Sequence, residues 1–532
     1  MTEMTGGQAL AQQLKMEGID TVFGLPGVQM DWAFDGLYEE RDHFRVIHTR
    51  HEQACAYMAD GYARATGKIG MALVVPGPGL LNASAALSTA YACNSPVLMV
   101  TGQIQSDLIG RGRGVLHEIN DQMETIASVT KWQGRAMKPA EIPALVHRAV
   151  QELRSGRPRP VELEIPPDVL EAKGDVMLLE AEEPQAPAID TDALESAARM
   201  LGQAKSPLIF SGGGIIGGQA WEELQRLAEA LEAPAIMTAN GRGALSDRHH
   251  LAHGPRSTRA LLPDSDVILV VGTRFVYGAG ETMAKRDKRV IQIDIDAEEV
   301  GRNYKPDVGI VADAGPALGT LCERVGQYNS HRPSRREELT ALKQSVAEQG
   351  LKTQPQASFA LAIRAELPDD GVFFQESTQV GYWSSVYFPV YNPRTYFTSG
   401  YQGTLGYGFP TAMGAQAGLP DKRVVSVNGD GGFFYNVQEL STLAQQNIPL
   451  TAIVFNDNAY GNVKRIQQTR FGGRELAVDL HNPDMLKLAE AYGVEGRRAA
   501  TPQELRGVLH EVFASPRPVL IEVPVGSMPQ MV

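Results

Sequence analysis

Cysteine and tryptophan are scarce, with three Cys and four Trp in 532 residues. Cys55, Cys93 and Cys322 are odd in number, far apart and set in apolar segments. That pattern excludes a disulfide framework and fits reduced thiols in a cytoplasm. No run of about 18 apolar residues occurs, so no membrane-crossing helix is expected. Met1 to Gln8 hold no basic segment leading into an apolar stretch, and no secretion signal is expected. Positive charge is in deficit: 49 Lys and Arg against 62 Asp and Glu give a net charge of −13. Such a chain repels phosphate backbones and anionic bilayers unless a local basic patch offsets the charge. None is found, which argues against nucleic-acid and membrane partners.

Hydrophobic residues make up 43% and charged residues 21%, ordinary globular proportions that leave no room for extensive disorder. At roughly 150 residues per domain the length predicts three or four domains. Leu178 to Asp192 is acidic and Pro-rich without apolar periodicity and reads as a linker, and Gly326 to Glu348 is a second polar stretch. These breaks predict domains at 1–177, 190–328 and 345–532. Each contains short β-branched runs such as Met71–Val75, Val267–Val271 and Val424–Val427, alternating with helical patterns. Strands apolar on both faces imply parallel sheets covered by helices on both sides, hence three doubly wound α/β domains. Ligands in such folds gather beyond the carboxyl ends of the strands.

The sharpest motif follows the strand Arg423–Val427, which runs into Asn428-Gly-Asp-Gly-Gly-Phe. A helical stretch is expected over Asn436–Gln446. A second strand, Ile448–Phe455, ends in Asn456-Asp-Asn-Ala-Tyr-Gly. Asp430 and Asp457 therefore fall just past the ends of two neighbouring parallel strands. Two hard oxygen ligands fit Mg²⁺, which is commonly completed by phosphate oxygens. Gly429, Gly431 and Gly432 let backbone N–H groups approach an anion. The bland alternative is a tight strand-to-helix turn with exposed acids.

Near the other end, Phe44–Thr49 reads as a strand and Ala54–Ala65 as a helix, with Arg50-His51-Glu52-Gln53 between them. Glu52 admits two readings. It is spaced from Thr49 as in a helix-capping box. It is also placed to be a carboxyl desolvated among small residues, its pKa raised so that it shares a proton near neutral pH.

His51-Glu52-Gln53 with Gly61–Lys68, Pro76–Asn82, Thr101-Gly-Gln103, Gly403–Pro410 and Asn428–Asp457 resemble, in order, segments of one family. It is the thiamine-diphosphate-dependent 2-oxo acid decarboxylase and carboligase family, and the acetolactate synthase branch most. The resemblance covers nearly the whole chain and implies a pyrimidine-binding, a middle and a diphosphate-binding domain. It implies that Glu52 activates the coenzyme at its pyrimidine ring, that Gln103 lines the reaction centre and that Leu405 enforces the bent coenzyme shape. It further implies Mg²⁺ held by Asp430, Asp457 and the carbonyl of Ala459, and phosphate contacts from Thr378, Gln379, Gly431 and Gly432. Pro26, Pro76, Asn82, Gly403, Gly429, Tyr460 and Gly461 are implied coenzyme neighbours. Where the family usually has Asn, this chain has Asp457, which implies stronger metal dependence. The family's sites lie between subunits, so a homodimer or homotetramer is expected.

Several positions depart from the acetolactate synthase pattern. Gly-Gly-Ala after the first strand is replaced around Val28 and Gln29, Phe-Gln-Glu by Leu116-His117-Glu118 behind Gly110–Gly114, and a Trp by Ile466. These residues would reshape the substrate pocket, with His117 a candidate proton shuttle. Ser211–Gly218 is a Gly-rich turn that, with Gly272–Phe275 and Asp294–Asp296, resembles parts of a FAD site; FAD, ADP or nothing is open there. His249, His250 and His253 could form a metal cluster but read more simply as structural. The leading expectation is carboligation of 2-oxo acids after decarboxylation. Alternatives are a benzoylformate decarboxylase-like decarboxylase, a benzaldehyde lyase-like enzyme acting on a hydroxyketone, a FAD- or NAD-dependent oxidoreductase, and a catalytically dead regulatory homologue.

Overall fold

A computed structural model of the chain describes residues 1–183, 188–276 and 288–529. They fall into two compact units. One comprises Met1–Gln185, Ser399–Ala499 and Ala514–Pro524; the other comprises Ala186–Thr398, Ala500–Phe513 and Val525–Val532.

In chain order, β1 (Thr2–Thr5) is followed by β2 (Thr21–Gly24), β3 (Arg45–His48), β4 (Gly70–Val74) and β5 (Val97–Gly102). Then come β6 (Trp132–Arg135), β7 (Val161–Ile165) and β8 (Lys173–Val176). The strands β3-β2-β4-β5-β7-β6 make a parallel sheet, and β1 pairs with β8 in an antiparallel ribbon. Met71, Ala72, Leu73 and Val74 of β4 are fully buried, as expected of a strand with helices on both faces. The expectation read from the continuous apolar runs holds here.

The middle sheet belongs to the second unit. Its strands are β9 (Pro207–Ser211), β10 (Ala235–Met237), β11 (Ala252–His253), β12 (Val267–Val271), β13 (Arg289–Asp294) and β14 (Val308–Val311). They run parallel in the order β11-β10-β9-β12-β13-β14. Also in this unit, β15 (Val372–Gln375) pairs in parallel with β16 (Tyr396–Phe397). The first unit contains β17 (Val424–Gly429), β18 (Thr451–Asn456), β19 (Glu495–Arg498) and β20 (Val519–Pro524), parallel in the order β17-β18-β20-β19.

Within the first unit the helix Glu52–Thr66 packs on the helix Gly408–Gly418. Small residues set that approach. A Cβ on Gly61 would stand 1.8 Å from the Thr411 carbonyl oxygen, and one on Gly414 would stand 1.9 Å from that of Met58. Beside this contact Asp60 is fully buried, its carboxylate 3.5 Å from the Arg64 guanidinium, which donates to the Tyr407 hydroxyl at 2.8 Å. Burial raises the proton affinity of Asp60, and the Arg64 charge opposes it.

Two local expectations need correction. The helix expected over Asn436–Gln446 is a 3₁₀ turn, Val437–Glu439, followed by the short helix Leu440–Gln445. Much of the polar stretch Gly326–Glu348 is helical: Arg336–Leu351 forms a helix in which only Leu339 and Gly350 are buried. With so few inward positions it shows no apolar stripe, the signal on which the sequence reading depended.

Candidate active site

Glu52 begins a helix rather than closing one. His51 takes the capping position, its ring accepting from the Gln53 N–H at 3.2 Å. Thr49 is occupied elsewhere: its hydroxyl donates to the His51 carbonyl at 2.9 Å and lies 3.0 Å from Cys55 Sγ. The Thr49–Glu52 capping box is therefore not formed, and the Glu52 carboxylate is left free for another partner. That partner is Asn82, whose Nδ2 donates to Glu52 Oε2 at 3.0 Å. The Glu52 side chain is half-exposed in this chain, not enclosed among small residues as expected.

The turn before Glu52 is held by a residue that sequence reasoning missed. Glu439, fully buried, accepts the Arg50 N–H on both carboxylate oxygens at 3.1 Å and the Thr442 hydroxyl at 2.7 Å. Burial pushes its pKa above the usual carboxylate range. Asn82 sits on the helix Pro78–Cys93, and two turns further on Thr89 meets the Thr404 hydroxyl at 2.7 Å. One helix thus joins the Glu52 contact to the segment carrying Gly403, which is exposed, and Leu405, which is half-buried.

Pro76 is buried ahead of this helix, and Gly77 has φ +56. A Cβ there would lie 2.3 Å from the His117 carbonyl oxygen, so the loop carrying Leu116 and His117 rests directly on this glycine. The Gly77 N–H donates to Gln122 Oε1 at 2.9 Å. Gln122 in turn donates to Glu164 Oε2 at 2.8 Å, the Gly102 carbonyl at 2.9 Å and Thr101 Oγ1 at 3.1 Å. Gln103 belongs to the same network: its Nε2 donates to Glu164 Oε2 at 3.3 Å and its Oε1 accepts the Ile104 N–H at 2.7 Å. Arg135 neutralises Glu164, and the Thr101 hydroxyl donates to the fully buried Glu162 at 2.5 Å. Burial, then the neighbouring Glu164 charge, raise the Glu162 pKa well above that of an ordinary carboxylate.

The pocket residues expected at the end of β2 divide. Pro26 and Val28 are exposed, whereas Gln29 is 8% exposed and donates through Nε2 to the Leu116 carbonyl at 3.2 Å. Leu116 is itself exposed and His117 half-buried. Glu118 closes the turn before them, accepting the N–H groups of Gly114 at 2.6 Å and Val115 at 3.0 Å.

The acid pair forms as its spacing predicts. Gly429 of β17 is opposite Phe455 of β18, so Asp430 and Asp457 leave the ends of paired strands side by side. Asp430 is 2% exposed and accepts from Asn482 Nδ2 at 2.6 Å; the same amide donates to Asn456 Oδ1 at 2.9 Å. Burial raises the Asp430 pKa against that hydrogen bond. Burial and the Asp430 charge push Asp457 up to about 6. Two acids held together in this way favour a divalent cation. Among the described residues no group of three or more His, Cys, Asp and Glu could hold a metal, so a cation here would be completed by carbonyl, phosphate or water oxygens.

The Ala459 N–H donates to Asp457 Oδ1 at 3.2 Å, and Tyr460 N–H to the Val478 carbonyl at 2.8 Å. These bonds fix the turn that follows Asp457. Gly431 and Gly432 are buried in the one-turn helix Asp430–Phe433, and the Tyr460 ring would lie 2.8 Å from a Cβ on Gly431. Gly461 opens the helix Gly461–Arg470, which buries none of its residues; Ile466 on it is half-buried.

In the second unit Thr378 and Gln379 begin the helix Gln379–Tyr387 after β15, and Gln379 Oε1 is buried without a partner. The Gly-rich turn after β9 is packed inward: a Cβ on Gly212 or Gly214 would meet the Gly272 backbone at 2.1 and 2.5 Å. His249 and His250 stack 4.7 Å apart, and His253 meets the Ser257 hydroxyl at 3.1 Å.

Residues 4–125 match the thiamine pyrophosphate enzyme N-terminal TPP binding domain, 194–321 the central domain and 376–523 the C-terminal TPP binding domain. The chain belongs to the thiamine pyrophosphate enzyme family. It is 33% identical to a "Probable acetolactate synthase large subunit" of Methanococcus aeolicus, over 98% of this chain and 92% of that protein. Identity is also 33% to a "Probable 2-ketoarginine decarboxylase" of Pseudomonas aeruginosa, over 98% and 94%. To the acetolactate synthase isozyme 3 large subunit of Escherichia coli it is 31%, over 97% and 93%. The resemblance drawn from the motifs is borne out, and with it the three parallel-sheet domains and a thiamine-diphosphate-dependent enzyme. Among the described residues no helix is long and apolar enough to cross a membrane.

Proposed function

We propose that this enzyme forms or cleaves carbon–carbon bonds next to a carbonyl, decarboxylating a 2-oxo acid and passing the acyl unit to a carbonyl acceptor, as acetolactate synthase does. The observation that carries the reading is the Asp430–Asp457 pair at the ends of β17 and β18, which fits a magnesium–diphosphate anchor. Thiamine diphosphate, when bound, supplies the electron sink that such bond cleavage requires. Asp430, Asp457 and the Ala459 carbonyl would hold Mg²⁺, with Gly431 and Gly432 toward the phosphates. Pro26, Pro76, Gly403, Gly429, Tyr460 and Gly461 complete the proposed coenzyme surroundings, and Leu405 supplies apolar contact.

Glu52 would face the pyrimidine ring nitrogen and hydrogen-bond it, with Asn82 fixing the orientation of its carboxylate. Gln103 and His117 are proposed at the reaction centre, with Val28, Gln29, Leu116 and Ile466 shaping the substrate pocket. The half-exposed Glu52, together with Val28, Leu81 and Leu116 at 64, 44 and 62% exposure, supports an assembly in which a second copy covers this surface. A homodimer or homotetramer with shared sites is proposed. The absence of a disulfide among the described residues supports a cytoplasmic location. A FAD in the middle domain is a companion proposal, favoured by Ser211 Oγ and Asn240 Oδ1, which are buried without partners near the ends of β9 and β10. A flavin spectrum of the purified protein tests it.

The deciding experiment reconstitutes the protein with thiamine diphosphate and Mg²⁺, offers pyruvate, benzoylformate and benzoin, and identifies products by mass spectrometry. Hydroxy-keto products from 2-oxo acids support carboligation. Aldehyde alone marks a simple decarboxylase, cleavage of benzoin a lyase, and a redox change with substrate an oxidoreductase.

A further inference from the structure

The corner formed by Gln29, Leu116 and His117 carries an unmet hydrogen-bonding demand. Gln29 is 8% exposed, and its Oε1 is buried without a partner. Its orientation is fixed by the other end of the amide, because Nε2 donates to the Leu116 carbonyl at 3.2 Å. Rotating the amide would set oxygen against oxygen, so the orphan atom is an acceptor. The next residue of the facing loop, His117, stands at φ +70, a conformation uncommon for a residue with a side chain. Its Nδ1 is also buried without a partner.

The loop that carries His117 abuts the segment leading to Asn82, the partner of Glu52. The His117 carbonyl rests on Gly77, the residue before the helix Pro78–Cys93, and Asn82 on that helix holds Glu52. From Gly77 to Asn82 is five residues, roughly 7 Å of helix rise. An acceptor left unpaired in a buried site favours ligands that bring a donor and rejects those that bring a methyl group.

We propose that the acyl donor of this enzyme is a 2-oxo acid whose side chain ends in a hydrogen-bond donor, an amide, hydroxyl or guanidinium group, which Gln29 Oε1 accepts. The inference rests on the 2-oxo acid reading above. Gln29 thereby selects substrate, while Glu52 and the acid pair serve any substrate that enters. A short alkyl 2-oxo acid leaves the Gln29 oxygen unpaired.

The test compares two near-isosteric pairs on the holoenzyme: 4-hydroxy-2-oxobutanoate with 2-oxopentanoate, and 2-oxoglutaramate with 5-methyl-2-oxohexanoate. The donor-bearing member of at least one pair is expected to lead in kcat/KM by about 10- to 100-fold. Gln29→Leu should cancel or reverse that preference. Calorimetric titration of the same acids follows binding separately from turnover. Equal use of both members, preference for the methyl-bearing ones, or a preference unchanged in Gln29→Leu overturns the inference. A holoenzyme that binds coenzyme but turns over no 2-oxo acid defeats the proposed function, and the inference falls with it.

Discussion

Asn482 donates to Asp430 Oδ2 at 2.6 Å and to Asn456 Oδ1 at 2.9 Å, so one amide ties the buried acid after β17 to the last residue of β18. Its expected consequence is orientation: one Asp430 oxygen is occupied and the other is directed elsewhere. Asn482→Ala should weaken Mg²⁺ binding by about 10- to 100-fold with little loss of stability. Magnesium titration calorimetry in the presence of thiamine diphosphate checks this.

Asp457 carries its own pH signature. Its pKa is raised in the folded protein to about 6, so between its ordinary range and that value the folded metal-free chain binds more protons than the unfolded one. Stability of the metal-free protein should therefore fall as pH rises from about 4 to 6, by about 1 to 2 kcal/mol after allowance for solvent screening. Mg²⁺ affinity should fall in the opposite direction, as pH drops through about 6. Asp457→Asn should flatten the stability change and loosen Mg²⁺. A variant that binds Mg²⁺ as tightly as the parent would contradict the stronger metal dependence expected from this second carboxylate.

Glu52→Gln preserves shape but removes the ionisable oxygen facing Asn82. Turnover should drop by at least about 100-fold while coenzyme binding persists, as single-turnover kinetics and coenzyme titration would show. Equal activity of the two proteins would remove Glu52 from its assigned role.

Gln122 joins Gly77, Gly102, Thr101 and Glu164 through one buried amide. Gln122→Leu should leave several of these groups unpaired and cost about 2 to 4 kcal/mol, measured by denaturant unfolding. Glu162 behaves differently. Its raised pKa means that stability is lost as pH rises above the unfolded carboxylate value, so Glu162→Gln should gain on the parent progressively from about pH 5 upward. An unchanged pH profile would show that Glu162 is not the group responsible.

Much of the fold was legible because its strands are apolar on both faces: β4, β12 and β17 stand where continuous runs placed them. The acid pair was legible because strand ends fix where the next residue goes, and Asp430 and Asp457 each follow one directly. Asn482, Gln122 and Glu439 were not legible. They reach their partners across 52, 45 and 389 positions, and a lone polar residue in an unpatterned stretch carries no local signal of that. The capping-box reading of Thr49 and Glu52 failed for a related reason: spacing alone could not show that Cys55 and the His51 carbonyl would claim the Thr49 hydroxyl.

At Gly61 and Gly414 main chain presses on main chain, with no flexible side chain in between to absorb an intrusion. Tolerance to change is therefore shared between two distant stretches of sequence. A single added methyl at either place would lever apart the helix that begins with Glu52 and the one that follows Leu405, and the damage would register as misalignment of the chemistry before it registered as unfolding.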